Sequence, residues 1–393
     1  MTEVEIKESN KNDLGEKIKL EIIQALINAG FLIDISRASA ESSNAYKKEY
    51  YRRLQSSARL EKIRNNAENL LKYFNKAIPY IRDAKDIDPQ KIDIEFVEVK
   101  GSTNEEKIFR FWNYIWWSIP YERAYGRQMR FLLYDKYHNS FAGLIYLQSP
   151  ILKMSARDEY LEIPKDELDL WINMSMQAQR LGALPPYNEF IGGKLAALVA
   201  TSNEVRELYK LKYSKVVTEI KKRKIGSQLL FLTTTSAFGK SSIYNRLKYR
   251  NEPAAISVGY TKGYGTFQFP DELYEKILLF LKGNGIDISR GYGYGPSRKL
   301  RLISKALNML GLSDVINHGI KREVFLFPLV SNLKEVIKYG DVPRFYNRHL
   351  NDIVEFWKER WAVPRALRKP AIFSSKKFIE ETREFLKCMN VKG

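Results

Sequence analysis

Two apolar runs on either side of a short polar turn constrain this chain more than any other feature. They are residues 129–135 (MRFLLYD) and 141–147 (FAGLIYL), joined by Lys136-Tyr137-His138-Asn139-Ser140. A polar turn reverses the chain while β-forming residues on both sides pair, so the segment reads as an antiparallel hairpin. Residues 171–184 follow as a further strand, or a strand after a short helix, ended by Pro185-Pro186, which cannot continue a ladder. Past the prolines, Gly192-Gly193 opens a helical run of small residues lasting to about Tyr213. Residues 228–235 are rich in β formers, residues 236–248 (SAFGKSSIYNRLK) read as a loop and short helix, and residues 254–260 as another strand. This order is that of an α/β protein, with an α+β mixed sheet.

The flanks read differently. Residues 15–29 form an amphipathic helix with Ile18, Leu20, Ile22, Ile23, Leu26 and Ile27 on its apolar stripe, stopped by Gly30, and residues 44–81 read as one longer helical stretch. Residues 86–101 carry Pro89 and an alternating run, the pattern of a connector and an edge strand. Residues 109–130 are dense in aromatics and arginines and pack on the sheet or stack on bases. Residues 271–281 are helical, and RGYGYGPSRKLR (290–301) is a loop entering a helix that ends near Gly311. The organisation expected is an N-terminal helical region at 1–100, a core at 101–270, and a basic, mostly helical α/β extension at 271–393.

Composition excludes several classes. A single cysteine, Cys388, rules out an internal disulfide and points to a reducing, cytoplasmic setting. His138, His318 and His349 are far apart, so no metal site is expected. No apolar run approaches the roughly 18 residues of a membrane span. The formal charge of +19, from 65 basic and 46 acidic side chains, calls for an anionic partner, DNA or another nucleic acid first. The excess peaks between Arg206 and Arg250, where 12 basic residues face only Glu207 and Glu219.

Several segments carry chemistry. Gly192, Gly193 and Lys194 at a helix start could cradle a phosphate on free backbone N–H groups, with Tyr187 just before them. Neither a Walker loop nor a G-x-G-x-x-G fingerprint fits, and a plain helix start accounts for the pair equally well. Ser236, Lys240, Ser241, Tyr244, Asn245 and Arg246 follow a strand's C-terminal end, where open sheets place their sites; helix capping is the simpler role for the hydroxyls. Arg157 and Asp158, with Glu159, could position or exchange a proton, or form a salt bridge. Tyr292, Tyr294, Arg298 and Arg301 suit base stacking and phosphate neutralisation, or a packing loop.

The hairpin, third strand, proline turn and glycine-opened helix resemble the GNAT acetyltransferases. That resemblance implies acetyl-CoA or a related acyl-CoA at Tyr187, Gly192, Gly193 and Lys194. Glu189 departs from the Gln or Arg that opens the GNAT glycine motif. A more specific resemblance rests on GRQMRFLLYD, SPILKMSARDEYLEI, LGALPPYNEFIGGKLAAL, TTTSAFGKSSIYNRL and GYTKGYGTFQF, in that order, with HGIKREVFLFPL and FWKERW beyond them. In these, over about Glu16 to Trp361, the chain is similar to the DruA family of the Druantia antiphage system, a family also found with mobile elements. The resemblance implies defence against phage DNA beside other Druantia proteins, including a large helicase-like one. Catalysis is left open: Arg157, Asp158, Ser236 and Tyr244 are its candidates. Lys240, Asn245, Arg246, Tyr292, Arg298 and Arg301 are the nucleic-acid candidates. The alternatives are a GNAT-like group-transfer enzyme acting on nucleic acid and a transposon-associated nuclease.

Overall fold

The computed structural model describes residues 3–390 except 29–31, 35–38, 42–47, 123, 125, 219–221, 225–226, 238–240, 264–269, 290–297 and 317–320. Its N-terminal part runs α1 (Glu3–Asn28), a small hairpin of β1 (Leu32–Asp34) and β2 (Ser39–Glu41), α2 (Lys48–Arg64), α3 (Ala67–Ala77), β3 (Ile94–Glu98) and α4 (Asn104–Ile115). The stretch expected as one long helix is two, because helix-poor Asn65 and Asn66 occupy the break between α2 and α3. Thr103 caps α4 by accepting from the Glu106 amide at 3.2 Å.

The core continues with β4 (Gln128–Asp135), β5 (Ser140–Gln148), α5 (Ser155–Tyr160), α6 (Leu168–Asn173), β6 (Ser175–Ala183), α7 (Gly192–Val199), α8 (Asn203–Tyr213) and β7 (Phe231–Thr235). The hairpin read from sequence is present, with Asp135 opposite Ser140 and Gln128 opposite Gln148. One correction concerns the helix after Gly193: it ends at Val199, and Ser202 starts a second by accepting from the Val205 amide. Another concerns residues 236–248, where the described part is a turn and no helix forms. A two-residue ladder of β8 (Lys248–Tyr249) and β9 (Glu252–Pro253) leads to β10 (Ile256–Tyr260).

The remainder is α9 (Asp271–Gly283), α10 (Arg298–Met309), β11 (Glu323–Pro328), α11 (Leu333–Tyr339), α12 (Leu350–Trp357), a π-helical turn at Lys358–Ala362, α13 (Val363–Arg368) and α14 (Ser375–Asn390). The main sheet has seven strands in the order β10-β11-β7-β6-β5-β4-β3. The fold is therefore mixed α/β, antiparallel throughout except for β6 beside β7. β3 is an edge strand, as its alternation suggests. β11 was not legible as a strand, yet it lies between β7 and β10, so the sheet does not stop at residue 270.

The flanks also share cores. Ile18, Ile22 and Leu26 of α1 pack with Leu273, Ile277 and Leu281 of α9 and Leu302, Ile303 and Ala306 of α10. α14 packs on α2 and α3. A helix near each chain end thus closes against distant sequence, and the expected regions 1–100 and 271–393 are interleaved.

One face of the sheet is covered by α7, α8 and α12 around Met176, Ala178, Leu181, Leu232 and Phe325. The other is covered by α3, α4 and α14 around Leu132, Leu144 and Tyr146, and further along by α5, α6 and α11 around Phe231 and Leu326. Among the described residues, no helix is long and apolar enough to cross a membrane.

Candidate nucleic-acid interface

β6 and β7 run parallel but pair only from Ser175–Phe231 to Gln177–Thr233, after which the register ends while β6 continues to Ala183. The turn after β7 fills the divergence. Tyr244 is buried, packs against Phe325 and Phe327, and donates its hydroxyl to the Leu181 carbonyl at 3.3 Å. Burial pushes that phenol well above its usual range. A catalytic role expected of Tyr244 therefore gives way to packing.

The glycine turn is equally filled. Ile191 adopts the left-handed conformation, with φ 61°, between a 3-10 turn (Tyr187–Phe190) and α7. A Cβ on Gly192 would lie 2.7 Å from the Tyr187 carbonyl oxygen, and one on Gly193 would lie 3.1 Å from Ile243 Cδ1. Both glycines thus admit neighbouring protein. Tyr187 is fully buried and donates to Asp135 at 2.7 Å. Glu189 accepts from the amides of Ile372 at 2.6 Å and Phe373 at 3.3 Å. These residues do not fit an acyl-CoA cradle: the acidic side chain anchors the C-terminal connector, and Tyr244 lies in the strand divergence. Glu189→Ala is expected to cost about 1–2 kcal/mol and to speed amide exchange at Ile372 and Phe373; unchanged exchange there would refute the anchor.

What the turn does present is charge beside aromatic rings. Lys194 Nζ donates to the Ile243 carbonyl at 3.3 Å and lies 5.2 Å from the Trp361 ring centre. Desolvation, then the nearby Arg360, lowers its pKa. Trp361 meets Phe356 edge-on at 5.5 Å, Phe356 meets Tyr249 at 5.1 Å, and Arg250 lies over Tyr249 at 5.2 Å. Arg365 Nε donates to the Glu189 carbonyl. Asn245, Arg246, Lys248, Arg250 and Arg360 are exposed. The π-helical turn that brings in Arg360 and Trp361 precedes Pro364, whose ring would crowd the carbonyl of Arg360, four residues back, in a regular helix.

Three segments distant in sequence therefore converge: the glycine turn, the turn after β7, and the helix carrying FWKERW. Only Lys358 among these cations is paired by a local carboxylate, Glu355 at 2.8 Å, among the described residues. The arrangement sets exposed cations beside half-buried Phe356 and Trp361, over a buried Tyr249.

Other expected residues lie elsewhere. Arg157 is fully buried and donates to the Ile151 and Leu152 carbonyls at 2.8 and 2.9 Å and to Asp158 at 2.7 Å. Burial lowers its pKa, offset in part by Asp158. Asp158 also accepts from the Met154 amide at 2.8 Å. This pair clamps residues 151–158 and offers no proton donor to a ligand. Ser236 is buried and accepts from the Glu323 amide at 3.1 Å; Ser241 accepts from the Ile243 and Tyr244 amides and so closes a turn, with no helix there for it to cap. Arg298 and Arg301 are exposed on α10, Arg298 bonded to the Ile288 carbonyl. Lys240, Tyr292 and Tyr294 lie outside the described residues. Among the described residues, no group of three His, Cys, Asp or Glu side chains is gathered that could hold a metal ion.

One polar network escaped sequence reasoning. Buried Asp135 accepts from the amides of Asp93 and Tyr137 at 3.1 and 3.2 Å, from the Tyr187 hydroxyl, and from His138 Nδ1 at 2.6 Å. His138 Nε2 accepts from the Asp88 amide at 3.0 Å, which puts the ring proton on Nδ1. Burial would raise the Asp135 carboxyl, but the bonds from His138, the Asp93 amide and Tyr187 outweigh it and hold the pKa low. Every ring nitrogen is used, so the network is structural; only the His three residues after Asp135 at the hairpin turn hinted at it.

Comparison with known proteins adds the following. The family described as DruA, Druantia protein DruA, matches residues 44–339. The Druantia protein DruA of Escherichia coli (strain UMEA 4076-1) is 33% identical over 370 residues, covering 92% of this chain and 90% of that protein. No solved structure matches the chain.

Proposed function

This chain belongs to the DruA family, and from that membership we propose that it is a component of Druantia anti-phage defence that binds DNA. The binding surface in this reading is the basic, aromatic patch around Lys194, Arg246, Lys248, Arg250, Arg360 and Arg365. The observation that carries it is the convergence of three distant segments on one surface where exposed cations stand beside half-buried Phe356 and Trp361. A net charge of +19 supplies the long-range attraction. Arg298 and Arg301 on α10, which packs with α1 and α9, are in this reading a second, separate basic site for nucleic acid. The partners in this reading are phage DNA and the other proteins of the system, a helicase-like one among them.

Fluorescence anisotropy of the full chain with labelled single- and double-stranded oligonucleotides tests the reading. Six phosphate contacts predict a slope of log affinity against log salt near −5 for duplex, a loss of about 10³ between roughly 50 and 200 mM salt. Absence of binding to either form at low salt would refute it.

A further inference from the structure

The sheet face that carries α4 has a seam between its two apolar clusters, one built on β4 and β5 and the other on β7 and β11. Side chains of β6 and β7 fill the seam with polar atoms. Gln177 is paired with Thr233, Arg180 with Tyr146, and Gln179 falls at the irregularity in the β5–β6 register. Arg180 is 5% exposed and Thr233 0%. Among the described residues, no carboxylate reaches Arg180 within ion-pair distance.

The partners these groups do have come from one loop. Arg180 Nη2 donates to the carbonyls of Ile119 and Pro120 at 2.8 and 2.7 Å, and Gln179 Nε2 donates to that of Glu122 at 2.9 Å. Arg180 Nε, Gln179 Oε1 and Thr233 Oγ1 are buried with no hydrogen-bond partner. Buried orphan polar atoms are rare enough that each calls for a reason, and here three share one seam. Desolvation lowers the Arg180 pKa to about 10, against smaller opposing contributions from Tyr121, Glu122 and Tyr146.

We propose that this seam is a binding site for a phosphomonoester, with Arg180 as its anion-binding residue and the 119–122 carbonyls occupying it in the closed form. Those carbonyls are neutral acceptors on a cation. A phosphoryl group displaces them because it brings full negative charge to a desolvated guanidinium to which the carbonyls offer only dipoles, and a buried cation gains most from an ionic partner. The free Nε completes the two-pronged fork that arginine offers an oxyanion. Gln179 Oε1 takes a donor from the ligand, and the Thr233 hydroxyl gives or accepts one bond. Half-buried Trp117, which lies against Gly182, and Tyr121 border the seam and suit a planar base. The ligand is therefore of the nucleotide class, from a free nucleotide or from the 5′-phosphorylated end of a DNA strand. The seam lies on the opposite face of the sheet from Lys194 and α12, so the proposal stands independently of the DNA-binding patch.

Hydrogen–deuterium exchange and thermal unfolding of the full chain test it, with inorganic phosphate, dAMP, and 5′-phosphoryl and 5′-hydroxyl versions of one single strand. The expected result is a higher Tm and faster exchange across 116–122 with dAMP or with the 5′-phosphoryl strand. Whichever acts identifies the source. Arg180→Gln should abolish both effects. Thr233→Val keeps shape and removes an orphan hydroxyl, so its unliganded Tm should equal or exceed wild type while probe affinity falls about tenfold. That variant carries the test if Arg180→Gln fails to fold. No response to any probe, equal responses to the two strands, or wild-type affinity in Thr233→Val would each overturn the site, whatever the DNA titration shows.

Discussion

Replacing Arg246, Arg250 and Arg360 together by Gln is expected to weaken duplex binding on the order of 100-fold near 50 mM salt. The same change should flatten the salt slope by about 2.7, as three phosphate contacts at roughly 0.9 each are lost. All three side chains are exposed, on two converging elements, and none has an ion-pair partner among the described residues. Their removal leaves no buried group unsatisfied, so stability should change by less than about 0.5 kcal/mol each. Loss of binding with an unchanged circular dichroism melt is thus the signature of the interface. Affinity within twofold of wild type, with the salt slope intact, would place DNA elsewhere on the molecule.

The largest stability effect should come from Asp135→Asn, a change of one atom that should cost about 3–5 kcal/mol in a urea melt. The carboxylate is acceptor-only, and every group facing it is a donor: the amides of Asp93, Tyr137 and His138, the Tyr187 hydroxyl and His138 Nδ1–H. An amide must point its own NH2 at one of them. The pH dependence follows from the lowered carboxyl pKa. A depressed folded-state value means the contribution is complete above the unfolded value of roughly 3.9 and is lost as pH falls through the folded one. Wild type should therefore lose stability below about pH 4 more steeply than Asp135→Asn; parallel acid melts would show that the network contributes nothing.

Much of the architecture was legible because it is local. Alternation and turn chemistry located β4, β5 and edge strand β3, and the prolines marked the end of β6. The apolar run of β11 has no alternation, since both its faces are buried, so its period could not identify it. The two asparagines between α2 and α3, and Ser202 between α7 and α8, were readable as breaks, but apolar spacing carried across them.

The candidate site was legible only as separate segments. Gly192, Gly193 and Lys194 stood out in the sequence as a candidate phosphate cradle, whereas in the structure both glycines admit neighbouring protein. Glycine at a helix start marks close approach but not what approaches, and here it is Tyr187 and Ile243. Glu189 stood out against a Gln or Arg, and the explanation lay 183 residues away at Ile372. Arg180 and Thr233 gave no signal, because an orphaned atom is defined by neighbours from other strands.

Sequence alone determined the mixed α/β class, the β4–β5 hairpin, the family, and the net positive charge of +19. Each depends on residue type and short-range period, which survive without coordinates. Tertiary structure decided which cations share a surface, that the glycine turn is filled by protein, and that a guanidinium is buried unpaired between β6 and β7. Those are properties of long-range packing, where the same side chain is a ligand, a clamp or an orphan according to what distant strands bring within 3 Å of it.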